Sequence, residues 1–165
     1  MKKIFSFFVV ALMSITLVAG PNDLLWDYST GAPSSNPDNG LTYGSVIKDG
    51  PGVKNGLYGV KLNGSGFAYF SKAAVAGTLK LGFGPRDGSK TTGVSVYTWS
   101  GDTPSAETLI ATTAELTEYG YVQVELTAEQ NNIYLKRSGS VETALQVIQF
   151  TEFVPRTFVD FKLEF

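Results

Sequence analysis

The chain has 165 residues, 43% of them hydrophobic and 17% charged, with 13 Lys and Arg against 15 Asp and Glu, no cysteine and no histidine. Without cysteine there is no disulfide framework, thiol nucleophile or lipidated N-terminal cysteine; without histidine there is no Ser-His-Asp or Cys-His catalysis and none of the usual zinc or copper sites. No basic run stands out, which argues against a nucleic-acid or anionic-lipid partner gripped through phosphate contacts.

Met1-Lys2-Lys3 opens the chain, and a nearly unbroken apolar run follows from Ile4 to Ala19, ending in small residues. A positive start, a short apolar stretch and small residues at its end predict a cleaved secretory signal peptide over residues 1–20. The run is short of the roughly 20 apolar residues a membrane-spanning helix needs, so no transmembrane span is expected. Lys2 and Lys3 leave with the leader, so 11 basic residues then face 15 acids, a net charge of −4. Residues 21–165 are read as one domain, secreted, periplasmic or at the cell surface. About 145 residues suffice to bury roughly two-thirds of the unfolded surface.

Past the leader, glycine and proline punctuate short alternating runs, which is the pattern of sheet rather than helix. LLWDYS (24–29) is a first strand, and Trp26, between apolar neighbours, is expected in the core. STGAPSSNPDNGLTYG (29–44) is turn-rich, with Asn39-Gly40 suited to a tight turn. YGVKLNGSGFAYF (58–70) predicts two strands around a Gly-Ser-Gly bend, and GTLKLGFG (77–84) alternates with Leu79, Leu81 and Phe83 on one side. GVSVYTWS (93–100), ETLIATT (107–113), YVQVEL (121–126) with Val122, Val124 and Leu126 inward, NIYLKRS (132–138), ALQVIQFTEF (144–153) and TFVDFKLEF (157–165) complete the set. ELTEYG (115–120) is a weak candidate for a helical turn. Eight to ten short strands predict an all-β fold, an antiparallel β-sandwich of jelly-roll type.

The succession of WDYS (26–29), GLYGVKLNGSGFAYF (56–70), GTLKLGF (77–83), VSVYTW (94–99) and IYLKRSGS (133–140) resembles one known group. It is similar to the secreted bacterial β-sandwich modules, jelly-roll and galactose-binding-like, that accompany pectate-lyase-type and other polysaccharide-degrading enzymes. The resemblance covers about residues 24–153. It implies a non-catalytic module whose partner is a polysaccharide or glycan, Trp26 used as packing, and a structural calcium as a candidate cofactor.

Four residues are candidates for ligand contact. In 93–100 the alternation sets Val94 and Val96 against Tyr97 and Trp99. With the valines inside, the two rings form an outward ledge, and an aromatic ring packs well on the C–H face of a sugar. The opposite arrangement buries both rings and leaves the valines outside. Arg86 and Asp87, in the loop GPRDGSK (84–90), are candidates for hydroxyl or carboxylate contacts, the alternative being a solvated turn. Lys136-Arg137 raises the same choice. Tyr28, Tyr43 and Tyr69 could reach a loop-lined site, though nothing singles them out from ordinary sheet tyrosines. Asp23, Asp27 and Asp38, with Asn36 and Asn39, supply the oxygen chemistry calcium takes, but equally suit turns.

Three other readings stay open. One is a structural or adhesive surface protein making protein–protein contacts through its sandwich. Another is a glycosidase or lyase using two of the glutamates, the one enzyme chemistry the composition permits. The third rests on VDFKLEF (159–165), which alternates without a break and resembles the closing strand of an outer-membrane barrel. A core-facing strand accounts for the same pattern.

Overall fold

A computed structural model describes residues 20–48, 56–87 and 90–154. Residues 1–19 of the predicted signal peptide and the strand expected at 157–165 lie outside the described residues.

Among the described residues eleven strands follow in chain order: β1 (Leu24–Asp27), β2 (Thr42–Tyr43), β3 (Val46–Ile47), β4 (Gly59–Leu62), β5 (Phe67–Ser71), β6 (Gly77–Pro85), β7 (Val94–Thr98), β8 (Thr108–Thr112), β9 (Gly120–Leu126), β10 (Asn132–Arg137) and β11 (Thr143–Glu152). They form two antiparallel sheets, an all-β sandwich. One runs β3-β4-β11-β6-β9 with β1 also on β11, and the other runs β2-β5-β10-β7-β8.

β11 organises the larger sheet. One of its edges pairs with β6 along its length; the other takes β4 against Thr143–Leu145 and β1 against Val147–Phe150. The two short strands are separated at Gln146, where β11 bulges relative to β6 and the Gln146 carbonyl accepts the Tyr28 amide at 2.9 Å. Gly59 enters β4 beside this bulge with φ of 128°, and a Cβ there would lie 2.3 Å from the Leu145 carbonyl oxygen. Only glycine fits that approach.

The core forms where alternation turns one face of each sheet toward the other. Leu79, Leu81 and Phe83 are fully buried on one side of β6, as predicted, opposite Phe70, Val94, Val96, Ile133 and Leu135 of the other sheet. Trp26 is core, its ring 5.0 Å from that of Phe70, and its Nε1 donates to the Asp38 carbonyl at 2.9 Å. Burying the indole with its N–H satisfied avoids the penalty of an unpaired donor. β9 follows its predicted alternation: Val122 and Val124 pack against the core, Leu126 is buried, and Tyr121 faces out.

The Gly-Ser-Gly bend does separate two strands, but β4 and β5 belong to different sheets, so the bend is a corner between layers. Asn39-Gly40 makes the expected tight turn, with φ of 45° and 87° and Asp38 and Leu41 bridged across it. Two elements depart from expectation. Residues 115–120 contain no helical turn; Leu116 instead exchanges backbone hydrogen bonds with Thr92. The turn-rich stretch carries β2, whose two residues draw their order from pairing with β5 rather than from any local pattern.

Candidate functional site

The outer face of the five-stranded sheet gathers aromatic side chains from three strands. Register places Tyr69 of β5, Tyr134 of β10 and Tyr97 of β7 side by side in one row across the sheet. All three are half-buried, because their inward neighbours, among them Ala68, Phe70, Ile133, Leu135 and Val96, fill the core. Phe67, two residues before Tyr69, joins them. Its ring lies 5.9 Å from Tyr69 and 5.8 Å from Tyr134, and the tyrosine rings are 6.0 Å apart; all three planes agree within 23°. Ser95 and Lys136 continue the face beside Phe67.

Trp99 stands edge-on to this group, 5.8 Å from Tyr69 at 79° and 6.4 Å from Tyr134 at 86°. Beside it, a depression of about 410 Å³ is lined by Tyr69, Ser71, Trp99, Gly101, Asp102 and Asn132, among others. Its polar rim is held in place. Ser71 Oγ donates to Asn132 Oδ1 at 2.8 Å, and Asn132 Nδ2 donates to the Trp99 carbonyl at 3.3 Å. The adjoining loop is closed by Glu107, which accepts from the Ser100 amide at 2.6 Å and from its hydroxyl at 3.1 Å. Burial, and then the proximity of Tyr69, pushes the Tyr134 hydroxyl above the usual phenol range, so it keeps its proton and can donate.

The sequence candidates divide as follows. Val94 and Val96 do plug the interior, and Tyr97 does lie on the outer face. Trp99 is not the wet ledge expected of it: the residue is 8% exposed. Nor is it sealed between the layers. It lies outside the core cluster, packed against outer-face tyrosines, so it forms a wall of the depression.

Arg86 and Asp87 sit apart from the aromatic face, just past β6 of the opposite sheet. Arg86 Nη1 donates to Glu142 Oε2 at 2.7 Å, and Lys61 Nζ lies 3.0 Å from the other carboxylate oxygen. The Arg86 and Lys61 hydrogen bonds hold the Glu142 carboxyl below the usual carboxylate range. Arg86, Asp87, Arg137 and Glu142 line a separate depression of about 240 Å³.

Asp23, Asp27 and Asp38 do not converge. Asp23 accepts the Gly20 and Glu152 amides, each at 2.9 Å, Asp27 accepts the Ser29 amide at 2.8 Å, and Asp38 accepts the Tyr28 hydroxyl at 2.7 Å. Among the described residues no group of three or more carboxylates could hold a metal ion. These acids therefore do not fit a calcium cradle; each closes a local turn or ties two segments together. Tyr28 and Tyr43 are core residues, which removes them as ligand contacts.

Phe67, Tyr134, Asn132 and Asp102 were not singled out from the sequence. The alternation of NIYLKRS already turned Tyr134 away from Ile133 and Leu135. What the sequence lacked was the pairing that sets it between Tyr69 and Tyr97.

No family model matches the chain, and no curated protein matches it in sequence. Among solved structures it is similar to the Clostridium thermocellum N-terminal endo-1,4-β-D-xylanase 10B, CBM22-1–GH10 modules complexed with xylohexaose, at 14% identity and a TM-score of 0.49, over 73% of this chain and 27% of that one. It is also similar to the Podospora anserina GH26-CBM35 β-(1,4)-mannanase, at 15% identity and a TM-score of 0.41, over 82% of this chain and 29% of that one. The chain thus spans less than a third of either structure.

Proposed function

We propose that the protein is an exported, non-catalytic carbohydrate-binding module that holds a polysaccharide or glycan on the outer face of its five-stranded sheet. The observation that carries this reading is the near-parallel set of Phe67, Tyr69 and Tyr134 beside a polar-rimmed depression. Saccharides need both parts. Their C–H faces are apolar enough to pack on aromatic rings, while their hydroxyls must recover the hydrogen bonds they give up to water. Asn132, Asp102 and the Tyr134 hydroxyl supply donors and acceptors at the margin. The resemblance to modules that accompany polysaccharide-degrading enzymes supports the same reading, with export following from the leader.

The test is retention of the protein in gels containing plant or host polysaccharides, with Tyr69→Ala and Tyr134→Ala compared with the parent. Each ring lost is expected to weaken retention about two- to tenfold, taking a stacked aromatic as worth roughly 0.5 to 1.5 kcal/mol beyond its area. Circular dichroism checks that both variants stay folded. Full retention in the folded double variant would remove the site.

A further inference from the structure

Lys136 and Arg137 are adjacent in sequence but serve different places. Arg137 lines the depression it shares with Arg86 and Glu142, and its Nη1 donates to the Ser140 carbonyl at 3.3 Å. Lys136 belongs to the aromatic face. Register sets it between Phe67 of β5 and Ser95 of β7, two residues along β10 from Tyr134. Directly opposed side chains on one face have Cβ atoms roughly 5 Å apart, and two residues along a strand span about 7 Å. Lys136 thus lies within reach of whatever packs on Phe67 and Tyr134.

The lysine is half-buried, and among the described residues its ammonium makes no ion pair or hydrogen bond. Ser95, opposite it, is buried and has its hydroxyl 3.3 Å from that of Thr112. Glu115, in the segment after β8, is bonded to the Thr91 hydroxyl. Asp102 and Glu107 gather at the other end of the face, with Ser100 and Trp99. Asn132 marks that end on β10, four residues and roughly 14 Å from Lys136. That exceeds the screening length of about 10 Å at 0.1 M salt. An ammonium drawn partly out of water with no anion beside it leaves this part of the face with uncompensated positive charge.

We infer that the polysaccharide held on this face carries carboxylates, and that Lys136 pairs with one while the pyranose ring bearing it packs on Phe67 and Tyr134. The inference rests on the sugar-binding reading and adds the charge of the ligand to it. A uronic acid bears its carboxylate at the margin of the ring, so a ring lying on the aromatic group turns that carboxylate along the face toward the lysine. A neutral hydroxyl also accepts from an ammonium, but a bond between ionised partners is roughly twice as strong. Lysine is a point charge with rotatable donors rather than a rigid fork, so it selects acidic over neutral sugars without selecting one uronic acid. The chain as a whole has a net charge of −2, so its overall field does not attract a polyanion and the preference is local.

The test uses affinity gels of polygalacturonate, alginate and hyaluronan, each compared with the same polymer after its carboxylates are reduced to alcohols. At low salt the parent is expected to be held by at least one polyuronate about three- to fivefold more tightly than by its reduced form, the size of a partly screened charge pair. Lys136→Gln should bring the two forms to parity, Lys136→Arg should keep the difference, and added salt should erase it in the parent. Circular dichroism checks that both variants stay folded. Reduced polymers held as tightly as the acidic ones, or a preference that survives Lys136→Gln, would overturn the inference. A preference for dextran sulfate over dextran with none for carboxylates would assign the anion to sulfate and overturn it as well. In each of these cases loss of retention in Tyr69→Ala leaves the sugar-binding reading standing; if no polymer in either form is retained, both fall together.

Discussion

Trp99 shows how far one residue's role depends on what lies beside it. Alternation correctly turns it away from Val94 and Val96, yet facing out of the core is not the same as facing water. Tyr69 and Tyr134 meet its edges and leave it 8% exposed. A buried indole is costly to truncate whichever face it sits on, so Trp99→Ala is expected to lose about 3 kcal/mol of stability as well as polysaccharide retention. Denaturant unfolding alongside gel retention checks this; loss of retention with unchanged stability would mean that the ring is exposed. Gly59 makes a related point, since the atom a side chain there would strike, the Leu145 carbonyl oxygen, belongs to a strand far off in sequence and not to its own neighbours.

At the scale of the strands, the three-residue ion network joins β4, the residue preceding β11 and the residue following β6. Lys61 and Arg86 both contact Glu142, whose carboxyl is held low chiefly by the Arg86 hydrogen bond. A carboxyl with a lowered folded-state pKa stabilises the fold above its unfolded-state value, and that contribution disappears as pH falls through the folded-state value. Because the side chains are partly solvated, the network is worth no more than about 1 kcal/mol. Glu142→Gln should therefore lower the melting temperature slightly at neutral pH and leave it unchanged in acid. Thermal melts across that range check it, and a deficit that persists at low pH would contradict the ion-pair account. Strand identity was largely legible in the sequence: runs at 77–84, 93–100 and 121–126 fall on β6, β7 and β9 with the expected faces. The two-residue strands β2 and β3 were not, because an element that short carries no period to read.

Over the whole molecule, the two sheets are joined through large side chains rather than disulfides, and Trp26 against Phe70 is a contact made directly between them. Phe70→Ala should cost about 3 to 5 kcal/mol and lower the stability of both layers in one cooperative transition, followed by far-ultraviolet and fluorescence signals together. Separate transitions would mean that the layers do not share one core. Composition and alternation by themselves determined that the chain is all-β, that it forms a sandwich, which residues of the long strands are inward, and that histidine and cysteine chemistry is absent. Those properties follow from side-chain type and a period of two, both of which are local. Only the tertiary structure decided that Tyr69 and Tyr134 stand together, that Trp99 forms a wall, that Arg86 follows a strand of the opposite sheet and that the three aspartates stay apart. Each of these depends on which strands pair and in what register, and pairing between segments dozens of residues apart is set by how the whole core closes, which no local pattern records.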